Sequence, residues 1–492
     1  MKQNGIQLLP YLLLTAALLA SCQGEDDIGT AGETTAPAVS SAAEAATDSA
    51  LYTADYLPDA DYEGYVFRCV TVEDYPVAME KEDGDVVNDA YYKRNAILEE
   101  RYNIDFEDTY VDTYMDMTDT FRTSALAASN DFDLCRLIMR DAFSMALEGY
   151  ILPVSELPYL DITQDWYIHY VNEELTINDT LIFAYSDECI SAFESTYAVI
   201  FNKQIIGDLG LDSPYDMVDN GTWTYDALFE MAQEAISDLD NDGKYTLETD
   251  RFGIISVHDQ ILPCTWVSSG IKTVEKQDGI PVFTAASNER LITLLGKVYD
   301  YWAADGMCYD AFLSVGYDEA NRRAANLMYA QDHALFMFNG FGSLSILRDM
   351  EHDFGLVPLP KYDETQKEYY SRLIDGWINV PLYCTENPER TSVIMEALAV
   401  ETKNYVIPAL YEDAIQNKYL RDETSVRMLD LVMQNRSIDL GDTVWMVDIR
   451  NIFMDCFRNK KPDFASAIEK NTKKASRAID KALESLGNQA GN

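Results

Sequence analysis

Apolar residues along this chain keep two rhythms, and the places where one gives way to the other mark its elements. Tyr65–Val72 reads as a strand, and Asp85–Tyr102 carries Val87, Ala90, Tyr91, Ile97 and Leu98 at helical spacing. Ile104–Tyr110 reads as a second strand and Thr113–Ala128 as a second helix. Asp131–Met139 is a third strand, followed by a short helix from Asp141. Strand and helix alternating in this way predict βαβ units and a mostly parallel sheet covered on both faces.

The rhythm continues through the middle of the chain. Leu181–Tyr185, Tyr197–Phe201 and Phe252–Val257 read as strands, the last followed by a loop. Thr222-Trp223-Thr224 opens a helix with Thr224 as its N-cap. Amphipathic helices are predicted over Asn288–Ala304 and Asp318–Tyr329. Ala334–Phe338 is a buried strand ending in Asn339-Gly340-Phe341-Gly342, and Phe354–Val357 is a strand stopped by Pro358-Leu359-Pro360. From Pro388 onward the pattern is almost entirely helical, and no internal repeat occurs.

The opening of the chain follows another logic. An apolar run from Leu8 to Leu19, behind Lys2, leads into Leu19-Ala20-Ser21-Cys22. The run is too short for a permanent membrane helix and reads as an export signal. Small residues directly before a cysteine resemble the bacterial lipoprotein-processing signal, which implies cleavage before Cys22 and a diacylglyceryl group on its thiol. The expected location is the outer face of a cell membrane, in a single-membrane bacterium. From Gln23 to about Asp59 the residues are Ala, Thr, Ser, Gly and acids with no apolar period, predicting a disordered tether over 22–60. Its root-mean-square reach is about 35 Å.

Composition narrows the partners. The 492 residues carry 47% hydrophobic and 25% charged side chains, ordinary for a soluble globular body, with a net charge of −47. That balance argues against nucleic acid or anionic lipid, which need clustered Lys and Arg. Of the eight cysteines, seven lie beyond Cys22, scattered and without C-x-x-C spacing, so no structural disulfide is expected.

Several stretches resemble the extracellular solute-binding proteins of ABC importers, in the family-1, carbohydrate-type group. Ala90-Tyr91-Tyr92-x-Arg94-Asn95 with Glu99-Glu100-Arg101-Tyr102 is similar to that group's first helix, and Asn130-Asp131-Phe132-Asp133-Leu134 to the entry of its third strand. Asn220-Gly221-Thr222-Trp223-Thr224, Tyr419-Leu420-Arg421-Asp422 and Met428-Leu429-Asp430 continue the likeness. Asp353-Phe354-Gly355-Leu356-Val357-Pro358-Leu359-Pro360-Lys361-Tyr362 is its most specific piece. The resemblance implies an α/β, two-lobe periplasmic-binding-protein-like (type II) fold, each lobe a mostly parallel sheet flanked by helices, with a hinge between. The expected lobes are 61–190 with 372–402, and 191–371 with 403–490. It further implies a monomeric receptor that closes over a small carbohydrate and delivers it to a permease, touching the membrane only through its lipid.

A sugar presents an apolar face and a rim of hydroxyls, matched by aromatic rings and by planar polar groups. In the first lobe the candidates are Asp74 and Tyr75 after the first strand, with plain loop surface as the alternative, and Asp141, which could instead cap its helix. Trp377, in Asp375-Gly376-Trp377, stands between ligand platform and core. In the second lobe they are Asn339 and Phe341 after a buried strand, Trp445 at the opening of a late helix, and His258, Gln260 and Trp266 on the loop after Phe252–Val257. Trp223, Trp166 and Trp302 read as core.

Asp238-x-Asp240-x-Asp242-Gly243-Lys244 resembles the first half of an EF-hand calcium loop, but Thr249 stands where the bidentate Glu belongs. Glu248 or Asp250 could replace it, giving a structural calcium clip; the alternative is a solvated acidic turn. No cofactor is otherwise required. G-x-S-x-G, H-E-x-x-H, phosphate-loop and G-x-G-x-x-G motifs are missing, so no enzyme is expected. A non-sugar ligand such as a peptide or polyamine is the first alternative. A glycoside hydrolase, which needs only two carboxylates, is the second.

Overall fold

The computed structural model describes residues 51–79, 81–348, 350–374, 376–416 and 422–490. The leader, Cys22, Asp375 and Tyr419-Leu420-Arg421 lie outside them.

The first sheet is built from β1 (Tyr65–Thr71), β2 (Ile104–Tyr110) and β3 (Leu134–Ile138). β1 pairs in parallel with β2 from Tyr65↔Ile104 to Thr71↔Tyr110, and with β3 at Cys69↔Leu134. Its two faces carry separate cores, because alternate strand residues point to opposite sides. Phe67, Cys69 and Leu134 pack with Leu98 and Tyr102, whereas Val70, Cys135 and Leu137 pack with Met117 and Phe121. The covering helices start on local signals: Asp85 caps Val86–Tyr102 and Thr113 caps Tyr114–Ala127. Asn103 and Ala128 end them in the left-handed conformation.

The second sheet contains β4 (Tyr197–Asn202), β5 (Phe252–Ser256), β8 (Cys308–Asp310), β9 (Ala334–Gly340) and β10 (Phe354–Val357), in the order β10-β4-β9-β5-β8. Between β5 and β8 lies a hairpin of β6 (Val274–Gln277) and β7 (Ile280–Phe283). β5 pairs in parallel with β8 and β9, but β4 is antiparallel to both neighbours. This sheet is therefore less parallel than the sequence suggests. The reason is connectivity: β4 enters directly from the first lobe, and its first residue, Tyr197, faces Gly340 at the far end of β9.

Three segments cross between the sheets. The first contains the short helix Ser191–Glu194. The second runs from β11 (Ser371–Arg372) to β12 (Trp377–Val380), which completes the first sheet antiparallel to β3. The third is the helix Pro388–Glu401, continued by a π-helical turn, Thr402–Val406, into Ile407–Gln416. β11 pairs with β13 (Arg436–Ser437), and Ile374 N–H donates to the Ser195 carbonyl at 3.2 Å. Buried ions brace the crossings. Glu188 receives Arg94 at 3.2 Å, Arg136 at 2.7 Å and the Asn379 amide at 2.6 Å. Arg436 binds both Asp187 oxygens, and Arg372 binds both Asp442 oxygens at 2.6 and 3.0 Å.

Three expectations need correction. Leu181–Tyr185 forms no strand: Val154 N–H takes the Ile182 carbonyl, Ile168 N–H the Tyr185 carbonyl, and the Asn172 side chain both polar groups of Tyr185. With its backbone groups already satisfied, the segment pairs with no strand. The residues after β5 form a helix, His258–Ser268, despite Pro263 within it. Residues 51–60, assigned to the tether, dock on the first lobe. Ala54 and Leu57 are buried there, and Glu396 accepts from Tyr56, Trp166 and Tyr167. The seven cysteines from Cys69 to Cys456 are all free.

Candidate functional site

The loop after β1 is positioned by charge. The Arg136 guanidinium donates to the carbonyls of Tyr75 and Pro76 at 2.6 and 3.0 Å, and Asp108 accepts the Val77 and Ala78 amides at 2.8 and 2.9 Å. Held in this way, Asp74 and Tyr75 face a cavity of about 500 Å³ whose other walls come from the crossings and the second sheet. Glu194, Ser195 and Ile374 form the crossing wall. Tyr197, Gln260, Arg322, Asn339 and Ser343 form the second-lobe wall.

The polar groups are pre-oriented. Tyr75 donates to Glu194 at 2.7 Å, and its ring lies 5.6 Å from that of Trp377. Asn339 Oδ1 accepts from Ser343 at 3.0 Å and from Arg322 at 3.4 Å. Burial raises the Glu194 carboxyl above the usual range, and the nearby Asp74 charge adds to this while Tyr75 opposes it. The close approach of the two walls depends on glycine: a Cβ on Gly340 would stand 2.5 Å from the Glu194 carbonyl oxygen.

Four residues singled out from the sequence, Asp74, Tyr75, Gln260 and Asn339, thus meet in one cavity. Trp377 stands behind Tyr75, its backbone N–H donating to the Ser191 hydroxyl at 2.8 Å. The others lie elsewhere. Asp141 sits in the first turn of the helix Met139–Leu147 rather than at its cap, and is tied to Thr118 at 3.0 Å and Arg140 at 3.5 Å. Phe341 is buried against Phe193, 5.0 Å away. Trp266 is 0% exposed, bonded to Asp439 and packed on Phe453, so it belongs to the core. His258 is buried with both ring nitrogens engaged, Nδ1 by Asp310 and Nε2 by Arg458. Trp445 lies edge-on to Phe143 and lines a second cavity of about 390 Å³, beside the C-terminal helix Phe464–Ala490. Sequence reasoning missed Glu194, Tyr197, Arg322 and Ser343, none of which sits in a motif.

Known structures share this architecture. A cyclo/maltodextrin-binding protein complexed with maltotetraose superposes with a TM-score of 0.54 at 14% identity, covering 87% of this chain and 98% of its own. UspC of M. tuberculosis gives 0.55 at 15%, covering 84% and 100%. An extracellular solute-binding protein from Staphylococcus aureus in complex with maltose gives 0.53 at 10%, covering 86% and 97%. The fold is the two-lobe, periplasmic-binding-protein-like α/β fold. No family model matches the chain, and no curated protein matches it. In this fold the cavity of Asp74, Tyr75 and Asn339 occupies the cleft between lobes, next to the crossings. In open α/β sheets, ligands bind at the carboxyl ends of strands, and Asp74 and Asn339 lie at such ends.

The acidic loop is a separate candidate. Carboxylate oxygens of Asp238, Asp240 and Asp250 lie within 4.8 Å of one another. Asp250, next to Thr249, is part of this cluster, and its two oxygens accept loop amides, from Leu239 and Thr246, each at 2.8 Å. These bonds hold its pKa low. The Asp242 carboxylate stands outside the cluster and accepts the Lys244 amide at 2.8 Å.

Proposed function

We propose that this protein is a solute-binding receptor that captures a carbohydrate, mono- or oligosaccharide, in the cleft between its lobes and delivers it to an ABC permease. The observation that carries the reading is the cavity lined from both lobes and their crossings. It combines the planar polar groups Gln260, Asn339, Glu194 and Asp74 with the aromatic ring of Tyr75, which Trp377 backs from outside the cavity. Contacts completed only when both walls meet the ligand supply the differential affinity that drives closure. The lobes are taken as 61–190 with 372–402, and 191–371 with 403–490. A diacylglyceryl group on Cys22 would hold a monomeric receptor at the outer face of its membrane, two acyl chains being what stable anchoring needs.

Thermal-shift screening against mono- and oligosaccharides tests this reading. A stabilising sugar, recovered intact, supports it. Hits confined to peptides or amines would replace the ligand class, and turnover of a glycoside would make the protein a hydrolase.

Asp238, Asp240 and Asp250 are proposed to hold a structural calcium ion away from the ligand, as hard carboxylate oxygens suit that ion. Calorimetry with calcium on the wild type and on Asp240→Ala decides it. No heat from the wild type would end the proposal.

A further inference from the structure

The charges around the cleft are uneven in a way that binding a neutral sugar does not require. Asp74 is exposed and takes no hydrogen bond or ion pair from any described residue. Glu194 spends one oxygen on Tyr75, and its other oxygen has no partner among the described residues. A third carboxylate, Asp259, precedes Gln260 in the helix His258–Ser268 and is close enough to perturb Tyr197. One of its oxygens accepts from Tyr317 at 3.2 Å, and the other is buried without a partner. Against these stands Arg322, whose guanidinium is engaged by Asn339 and Ser343 on the second-lobe wall.

We propose that the ligand of this cleft carries an ammonium group, seated between Asp74 and Glu194 beside the ring of Tyr75. An ammonium has three donors and no acceptor, which matches two acceptor-only carboxylates with unspent oxygens. The Tyr75 ring, which lines the cavity, adds the attraction of an aromatic face for a cation. The raised Glu194 carboxyl fits the same picture, since burial and a neighbouring anion leave it short of a positive partner. The inference rests on the carbohydrate reading, in which it makes the ligand an amino sugar; a non-sugar amine offers the same chemistry and is the other source.

Calorimetry at neutral pH with glucosamine and its β-1,4-linked dimer, their N-acetylated and unsubstituted glucose counterparts, and spermidine separates the cases. The free amino sugars are expected to bind at least about tenfold more tightly than the neutral ones. Asp74→Asn, which disturbs no bond within the protein, is expected to remove about tenfold of the preference for the free amino sugars over the neutral ones. Neutral sugars binding as well as amino sugars would overturn the ammonium proposal and leave the carbohydrate reading standing. Spermidine binding with no response to any sugar would sustain the ammonium and overturn the carbohydrate. An absence of binding by every amine would overturn the proposal outright.

Discussion

The Tyr75 hydroxyl donates to Glu194 at 2.7 Å, and this bond ties the loop after the first strand to the first segment that crosses between the lobes. Tyr75→Phe keeps the ring against Trp377 and removes only the bond. The unfolding free energy should fall by roughly 1 kcal/mol, and ligand affinity should fall with it because Glu194 loses its orienting donor. Urea unfolding and calorimetry read the two effects; a variant unchanged in both would show that the bond positions nothing.

Gly376 precedes Trp377 in the second crossing, where a Cβ would stand 1.5 Å from the Tyr185 hydroxyl oxygen. Gly376→Ala should therefore cost several kcal/mol or prevent folding, like other overpacked buried sites. Adding Tyr185→Phe removes the clashing oxygen and should restore part of the loss. Thermal denaturation of the single and double variants checks the order.

Arg436 and Asp187 pair in a buried fork between β13 and the first crossing. Arg436→Met alone leaves a buried carboxylate uncompensated, at a cost of about 3–5 kcal/mol. The double variant with Asp187→Leu should recover much of this, because an apolar replacement of the whole pair is often neutral. Equal stability of the single and double variants would contradict the pairing.

Asp439 accepts from Trp266 and Thr273 in the core beneath the second lobe, and burial, with Asp442 adding to it, pushes its pKa up to about 6. Between the ordinary carboxylate range and pH 6, the folded chain thus holds a proton that the unfolded chain has released. Stability falls as pH rises through that window, by roughly 3 kcal/mol for this group. Asp439→Asn should lack this component, which the difference between the two pH–stability curves will show.

What the sequence revealed and what it hid divide along the range of the interactions. Thr224 caps the helix expected of it, and Asp85, Thr113, Asn288 and Asp318, where predicted helices begin, prove to be their caps, because a cap depends on residues two or three positions away. Asp74 and Asn339 were legible because they follow strands, and strand ends form crevices. Glu194 and Arg322 were not, because the fold brings them together from separate crossing and helical segments. Trp266, Phe341 and His258 have the residue types of a sugar platform, but burial alone separates those from core. The docked segment 51–60 carries Leu51, Tyr52, Tyr56 and Leu57, but at no helical or strand period, so the sequence alone did not show that Ala54 and Leu57 are its buried anchors.

The most direct measurement is a crystal structure with the sugar that gives the largest thermal shift. The account predicts the sugar in the cleft, against Tyr75 on one side and hydrogen-bonded to Asn339 on the other, so that both lobes touch it. A sugar bound to one lobe alone, or seated in the cavity beside Trp445 with the Tyr75–Asn339 cleft empty, would contradict it.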